Sequence, residues 1–427
     1  MKTFKVLAAS MLALSVATLA SASAVTQIRI TGSTAFRKAT HAAIINILNS
    51  PTAAWSGTAS NVSGVSSAVF AGTLKSGPSA GQSVVFQVTW AGSTGGIQTV
   101  AQQSPVLTKA WLTTANTMSS ISLSGTSVSP TFNGGTANAT ITETQPADVA
   151  MSDTFQGSSI FTGAGYATLV DSVVGVVPFR WVRSNAATNN GLTTSSNSSF
   201  ASITNMTTLN AINLLNGGLP LSQFTGNPAD SGIAVEVMGR DEDSGTRLVS
   251  FAEPGFGPQS TPLQYETTVG TGTLANVITA LNPFHANTVL GISFPIGHSG
   301  YSGGGALVTE LNRAIDPSLS TFTIGYLGRS DALTVTNGAS LTYNGVAETS
   351  ANIQNGTYTF WSYEHLMYKS SLSGVTKNAS DLLATQIHDA DAASVGELIS
   401  NMQVGRTVEG GPVTFGNPFC AGFALTT

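Results

Sequence analysis

Three short segments rich in Ser, Thr and Gly could bind an oxyanion. They are Gly32-Ser33-Thr34, Gly92-Ser93-Thr94-Gly95-Gly96 and Asp243-Ser244-Gly245-Thr246. Each is predicted to follow a strand and to open a helix, where unpaired backbone N–H groups and a partial positive charge favour an anion. The hydroxyls add further donors. The alternative is that these Ser and Thr residues only cap their helices.

The composition excludes several functional classes. Only 9% of the 427 residues are charged and the net charge is -5, which argues against a general nucleic-acid-binding protein. The single cysteine, Cys420, excludes an intramolecular disulfide and a zinc site built from several thiolates. The five histidines show no metal-ligand spacing. We therefore predict no metal site and no cofactor.

Residues 1–24 have the features of a secretory signal peptide. A basic start with Lys2 and Lys5 precedes an apolar stretch over residues 6–20, and Ala22-Ser23-Ala24 fits a peptidase site. A membrane anchor is the alternative, but the apolar stretch is shorter than the roughly 20 residues needed to span a bilayer. We predict a periplasmic or secreted protein without stable membrane insertion.

The hydrophobic pattern alternates between strands and helices, which is typical of α/β domains. In the first part of the chain it predicts a strand at 27–31, a helix at 33–48, a loop or short hairpin at 51–83, a strand at 84–90 with a helix from residue 97, an antiparallel insertion at about 104–145 and a strand ending at 147–153. A segment at 173–182 then passes between domains, and the middle region has a helix at 208–216 and a strand at 234–238 followed by a helix to about 252. A returning strand at 323–327 and a helix near 380–387 complete the pattern.

Taken in order, these segments resemble the phosphate-binding proteins of ABC transporters. The matching segments are Thr31-Gly32-Ser33-Thr34, Trp90-Ala91-Gly92-Ser93-Thr94-Gly95-Gly96-Ile97, Ala147-Asp148-Val149-Ala150-Met151-Ser152-Asp153 and Arg240-Asp241-Glu242-Asp243-Ser244-Gly245-Thr246. The presumed hinges, Gly175-Val176-Val177-Pro178 and Ile324-Gly325-Tyr326-Leu327, also match. The segment that starts at Arg240 is the most specific of them.

The resemblance implies an α/β, two-lobed periplasmic-binding-protein type II fold with two crossover strands and β-rich insertions. Residues 25–177 and 328–427 would form lobe I, and residues 178–327 would form lobe II. The protein would capture inorganic phosphate between the lobes and deliver it to an ABC permease. The ligand-binding residues that this resemblance implies are Ser33, Thr34, Ala35, Ser93, Asp153, Arg240, Ser244, Gly245 and Thr246.

Asp153 would distinguish phosphate from sulfate. An ionised carboxylate only accepts hydrogen bonds, and phosphate near neutral pH still carries a proton that it can donate. Sulfate has no such proton and would be repelled. The alternative is that Asp153 caps the turn over Thr154 and Phe155.

The sequence departs from the family pattern at Asp241-Glu242-Asp243, which is unusually acidic and has Asp243 in place of a Gly. One acid could orient Arg240, but three add repulsion toward an anion. Arg37 and Arg247 could offset that charge. Two other functions therefore stay open: a secreted structural or adhesion protein with the same fold, and a binder of another oxyanion such as sulfate or molybdate.

Overall fold

The computed structural model describes residues 25–184, 200–316 and 318–416. The predicted signal peptide lies outside the described residues. The strands are β1 (Thr26–Gly32), β2 (Leu48–Trp55), β3 (Ser67–Leu74), β4 (Ser83–Trp90), β5 (Lys109–Leu112), β6 (Ser119–Gly125), β7 (Pro130–Gly134), β8 (Thr142–Gln145), β9 (Val149–Ser152), β10 (Leu169–Ser184), β11 (Asn205–Met206), β12 (Leu219–Pro220), β13 (Ala234–Met238), β14 (Tyr265–Val269), β15 (Val277–Pro283), β16 (Asn287–Val289), β17 (Ile292–Phe294), β18 (Ala314–Ile315), β19 (Thr321–Gly328), β20 (Gly338–Ser340), β21 (Thr342–Tyr343), β22 (Trp361–Lys369), β23 (Val404–Gly405) and β24 (Thr414–Phe415).

Within the described residues, α-helices lie between these strands along the chain. They are α1 (Arg37–Ile47), α2 (Ser93–Ala101), α3 (Thr208–Leu215), α4 (Ser222–Thr225), α5 (Gly245–Ala252), α6 (Gly304–Leu311), α7 (Arg329–Ala332), α8 (Ser350–Gln354) and α9 (Gly374–Asp389).

One long sheet contains two half-sheets that meet at β10. Its order is β12-β13-β19-β10-β22-β9-β1-β4-β3-β2-β6-β7. In the first half-sheet, β1 is parallel to both β4 and β9, and β22 lies antiparallel between β9 and β10. In the second half-sheet, β13 and β19 are parallel to each other. This order confirms the predicted two-lobed α/β fold.

The 16-residue strand β10 is the outgoing crossover. Its first part, up to Pro178, pairs with β22, and its second part, from Phe179, pairs with β19. Most of its residues are buried because each part is covered by its own half-sheet. β19 is the predicted return strand, but the chain does not leave the second half-sheet at once, since β20 still pairs with Val182–Ser184 at the end of β10.

The predicted insertions are β-rich. The segment predicted as a loop or short hairpin forms the antiparallel pair β2 and β3, which extends the first half-sheet beyond β4. The second insertion forms two further antiparallel pairs, β6 with β7 and β5 with β8. The β2–β3 pair and, through β2, the β6–β7 pair therefore enlarge the first half-sheet, whereas β5 and β8 form a separate two-stranded sheet.

Helix α1 begins at Arg37, four residues later than the predicted start at Ser33. Gly32 has a φ of 124°, and a Cβ atom there would lie 1.9 Å from the carbonyl oxygen of Met151. The next N–H, that of Ser33, donates to the same carbonyl at 2.8 Å. This contact with the end of β9 holds the chain in a turn and delays the helix.

A buried charge network joins the segments beside the crossover. Glu348, whose side chain is 4% exposed, accepts from Nε of Arg180 in β10 and from Nε of Arg329 in α7, each at 2.6 Å. Arg329 also donates to Glu397 at 2.9 Å. Two guanidinium groups thus share one buried carboxylate, which is the arrangement in which loss of that carboxylate is most costly.

Candidate functional site

The candidate site lies where four strand ends meet. The carboxyl ends of β1, β4 and β9 lie at one edge of the first half-sheet because the three strands are parallel. From the second half-sheet, the turn after β13 carries Arg240 and leads into α5. Ligands of open α/β sheets bind outside such strand ends.

Asp153 stands at the centre of this meeting point. It is 2% exposed, and its carboxylate accepts hydrogen bonds from the Ser93 hydroxyl and, at 3.3 Å, from the Thr246 hydroxyl. Ser93 comes from the first half-sheet and Thr246 from the second. These hydroxyl groups thus bind the chain's own carboxylate from the two half-sheets, at the meeting place of Ser93, Asp153, Arg240 and Thr246 that we call the cleft. The same hydroxyls were predicted to bind phosphate.

Burial raises the pKa of the Asp153 carboxyl above its ordinary value. The hydrogen bond from Ser93 and the positive charge of Arg240 act in the opposite direction, followed by the hydrogen bond from Thr246. Gly245 is closely packed here, because a Cβ atom on it would lie 1.6 Å from Oδ1 of Asp153. Asp153 is therefore a buried acceptor in a tightly closed contact.

Arg240 is 2% exposed and its guanidinium is partly engaged by the backbone. Nε donates to the carbonyl of Tyr301 and Nη2 donates to the carbonyl of Ser302, both at 3.1 Å. These bonds fix the orientation of the guanidinium, and its charge acts on Asp153 and Asp243. Arg240 thus supplies fixed positive charge to the cleft.

The three predicted ligand-binding residues in the turn after β1 differ in their burial. Ser33 is fully buried and its hydroxyl donates to Glu364 at 3.1 Å. Thr34 and Ala35 are partly exposed in the turn before α1. Of the three predicted residues in this turn, Ser33 is therefore occupied by a protein acceptor, whereas Thr34 and Ala35 are partly accessible.

The capping alternative holds for one of the three segments. The Ser244 hydroxyl accepts from the N–H of Arg247 at 3.3 Å and so caps α5. The residues that precede α1 and α2, Phe36 and Gly92, make no side-chain cap. Simple helix capping therefore explains Ser244 but not Ser33, Thr34 or Ser93.

The acidic segment after Arg240 separates into three different contacts. Glu242 pairs with Arg247 at 3.0 Å and accepts from Ser299 at 3.0 Å. Asp243 contacts the first turn of α2, where the N–H of Gly95 donates to its Oδ1 at 2.8 Å. Asp241 is 5% exposed. Among the described residues, no ion pair of Arg240 with these acids is present, so the orienting role suggested for one of them is taken by backbone carbonyls.

Burial raises the pKa of Asp241 from 3.8 to about 7, against the opposing charge of Arg240 and with the support of the charges on Asp243 and Glu242. The folded protein holds this proton more tightly than the unfolded chain, so the free energy of unfolding falls as pH rises from 3.8 to about 7.

We expect Asp241→Asn to remove this decrease in the free energy of unfolding with rising pH. The stability of the variant relative to the wild type should increase by about 4 kcal/mol across that pH window, measured by denaturant unfolding. His41 acts in the opposite direction, because burial lowers its pKa to about 3, and it contributes equally to both proteins. A difference that is constant with pH would show that Asp241 does not titrate in this range.

Sequence reasoning missed Glu364. This residue is fully buried in β22, and only Oε2 has a hydrogen-bond donor, the Ser33 hydroxyl. Burial, and next the charge of Asp153, raise its pKa well above the ordinary value. The available signal was a carboxylic acid within the aromatic run from Trp361 to Tyr368.

A cavity of about 400 Å³ adjoins the site on the side of α5. Its walls include Thr94, Phe161, Glu242, Ser244, Arg247 and Phe294. Of the predicted ligand-binding residues, only Ser244 lines this cavity. Within the described ranges, no cluster of His, Cys, Asp and Glu is suited to hold a metal ion, and no helix has the length and apolar character to cross a bilayer.

No protein-family model and no curated protein matches the chain. Solved structures similar to it include a phosphate ABC transporter substrate-binding protein with bound phosphate from Clostridium perfringens, with 13% identity, 87% of this chain and 100% of that chain covered, and a TM-score of 0.42. PstS from Borrelia burgdorferi has 13% identity over 84% of this chain and 97% of its own, with a TM-score of 0.32. An ABC-type phosphate transport receptor from Vibrio cholerae has 15% identity over 56% of this chain and 74% of its own, with a TM-score of 0.32.

These solved structures are of phosphate-transport proteins, the class that the sequence motifs resemble. At such identities and TM-scores, however, the likeness carries no argument about the ligand of this chain. The assignment of the fold rests on the strand order described above.

Proposed function

We propose that the protein is an extracytoplasmic solute-binding protein that captures inorganic phosphate between two lobes and releases it to an ABC permease. Lobe I would comprise residues 25–177 and 328–427 apart from β20 and β21, which pair with the end of β10 and with β11 and so join residues 178–327 in lobe II. Binding is non-covalent, with no catalytic step. The anion favours the closed arrangement because it contacts both lobes at once.

The observation that carries this proposal is the convergence of donors from both half-sheets on one buried acceptor. Ser93 and Thr246 both donate to Asp153, and the charge of Arg240 acts on the same group. Phosphate binding requires the two hydroxyls to turn from Asp153 to the anion. Asp153 is then free to accept the proton that phosphate carries.

Calorimetric titration of the mature protein with phosphate and then with sulfate tests this function. The protein is first stripped of bound anion by partial unfolding and refolding. We expect saturable binding of phosphate and none of sulfate. A folded protein that releases no heat with either anion would contradict the proposal.

Asp153→Asn is expected to weaken phosphate binding at least about tenfold and to reduce the discrimination against sulfate, because the amide presents a donor where phosphate needs an acceptor. Asp230→Asn is the matched control: Asp230 is 5% exposed and accepts from the Thr225 hydroxyl at 2.6 Å, outside the cleft. Unchanged affinities in Asp153→Asn would remove Asp153 from the site.

A secreted structural or adhesion protein is the second candidate function. It is favoured by the contact of Asp243 with α2, which joins the two half-sheets without a ligand. On that alternative, neither phosphate nor sulfate binds and the contact is permanent.

A further inference from the structure

The first turn of α2 is contacted across the cleft by the acidic segment of the second half-sheet. The N–H of Gly95 donates to Oδ1 of Asp243 at 2.8 Å, and the N–H of Thr94 donates to the Asp243 carbonyl at 3.1 Å. The Thr94 hydroxyl donates to the Glu242 carbonyl at 2.5 Å. Both the backbone and the side chain of Asp243 therefore take part.

The shape of α2 is matched to this carboxylate. A Cβ atom on Gly95 would lie 2.2 Å from Oδ1 of Asp243, and one on Gly92 would lie 2.2 Å from the Asp243 carbonyl oxygen. Any larger residue at either position would push Asp243 away. The two glycines that could admit an oxyanion thus admit a side chain of the same protein.

The electrostatic surroundings also suit a negative group at this place. The helix has no side-chain cap of its own, and its N-terminal N–H groups carry partial positive charge. Burial raises the pKa of Asp243, and the charge of Lys109, the hydrogen bond from Gly95 and the charge of Arg240 oppose that rise. The Asp243 carboxylate thus provides the negative charge and the acceptor oxygen that a bound anion would provide at the N-terminus of α2.

We propose that Asp243 is an internal competitor for the anion: its carboxylate occupies the N-terminus of α2, holds the two half-sheets together without a ligand, and must be displaced before phosphate can bind there. This inference rests on the proposed function. It makes Asp243 a residue that sets affinity, since every binding event exchanges one anion for another at the same N–H groups.

Asp243→Gly is the decisive variant, and Asp243→Asn is a second one that keeps the shape and an acceptor oxygen. The first measurement needs no ligand: hydrogen exchange of the peptide that spans residues 93–101. Because Asp243→Gly removes the charge-assisted hydrogen bond from the N–H of Gly95, we expect exchange in this variant to become at least about tenfold faster. Unchanged exchange in both variants would overturn the proposal.

The second measurement is calorimetric titration with phosphate. We expect Asp243→Gly to bind phosphate at least about tenfold more tightly than the wild type, with Asp243→Asn in between. Glu242→Gln is the matched control, since it removes one negative charge from the same segment but leaves its carbonyl contact with Thr94 intact. Equal gains in Glu242→Gln and Asp243→Gly would show a general charge effect and would overturn competition at α2.

The two measurements separate this inference from the proposed function. If the wild type binds phosphate and Asp243→Gly binds no better, the competition is wrong and the function stands. If no variant binds phosphate while exchange at residues 93–101 accelerates in Asp243→Gly, the contact is real but phosphate is not displaced by it, which overturns both the competition and the proposed function.

Discussion

Arg240→Lys is expected to weaken phosphate binding about 10- to 100-fold while the protein stays folded. The guanidinium contributes charge-assisted hydrogen bonds of about 1.5 to 3 kcal/mol that a single ammonium cannot reproduce in a fork, and about 1.4 kcal/mol corresponds to each tenfold change. Arg240→Ala should lower affinity further. It also removes the positive charge and every side-chain donor near the carbonyls of Tyr301 and Ser302, whereas the Lys ammonium keeps the charge and a donor group, so the Lys variant gives the cleaner result.

A suitable control for this experiment is Arg183→Lys. Arg183 also donates to backbone carbonyls, those of Ile203 at 3.0 Å, Ala201 at 3.2 Å and Ser184 at 3.3 Å, but it lies in the second half of β10 and outside the cleft. Both variants should lose some stability, measured by thermal unfolding. Only Arg240→Lys should lose affinity in the calorimeter, and equal affinities for the two would exclude Arg240 from the site.

Glu348→Gln should reduce the free energy of unfolding by about 3 kcal/mol, because it leaves the partly buried Arg180 without its carboxylate and Arg329 with Glu397 alone. Denaturant unfolding measures this loss. Asp381→Asn provides the comparison, since the Asp381 pair with Lys377 is 37% exposed on both sides and should be worth about 1 kcal/mol or less. Similar losses in the two variants would contradict a structural role for the Glu348 network.

The strands and the order of the site segments could be predicted because their signals are local. Alternating apolar residues predicted β1, β4 and β13 within a residue or two, and a Gly-rich turn after a strand indicates a helix start wherever it occurs. Helix α2 begins at Ser93, earlier than the predicted start at Ile97, and so includes the Gly95-Gly96 pair. These glycines lie in close contact with other chain segments, where a side chain would not fit.

The orientations within the site could not be predicted because they depend on distant partners. Ser33 and Glu364 are 331 positions apart, and nothing near Ser33 indicates that its hydroxyl faces a buried acid. Asp243 was recognised as a departure from the family pattern, but its partner, Gly95, lies 148 positions away. Local sequence sets the residue types at the strand ends, whereas the packing of two half-sheets decides which of them meet.

The division of β10 between two half-sheets has a consequence for backbone torsion. The strand that pairs with β10 changes between Pro178, which lies opposite Trp361 of β22, and Phe179, which lies opposite Gly328 of β19. Proline fixes its own φ and restricts the residue before it, so little rotation is available at Val177 or at φ of Pro178.

Phe179 is held as well, because its N–H donates to Phe360 at 3.0 Å and its carbonyl accepts from the Tyr358 hydroxyl at 2.6 Å. The next residue, Arg180, is paired with Leu327 of β19, and its side chain is bound to Glu348. The middle of β10 is therefore a stiff connection, in which proline, two backbone hydrogen bonds and one ion pair all restrict bending.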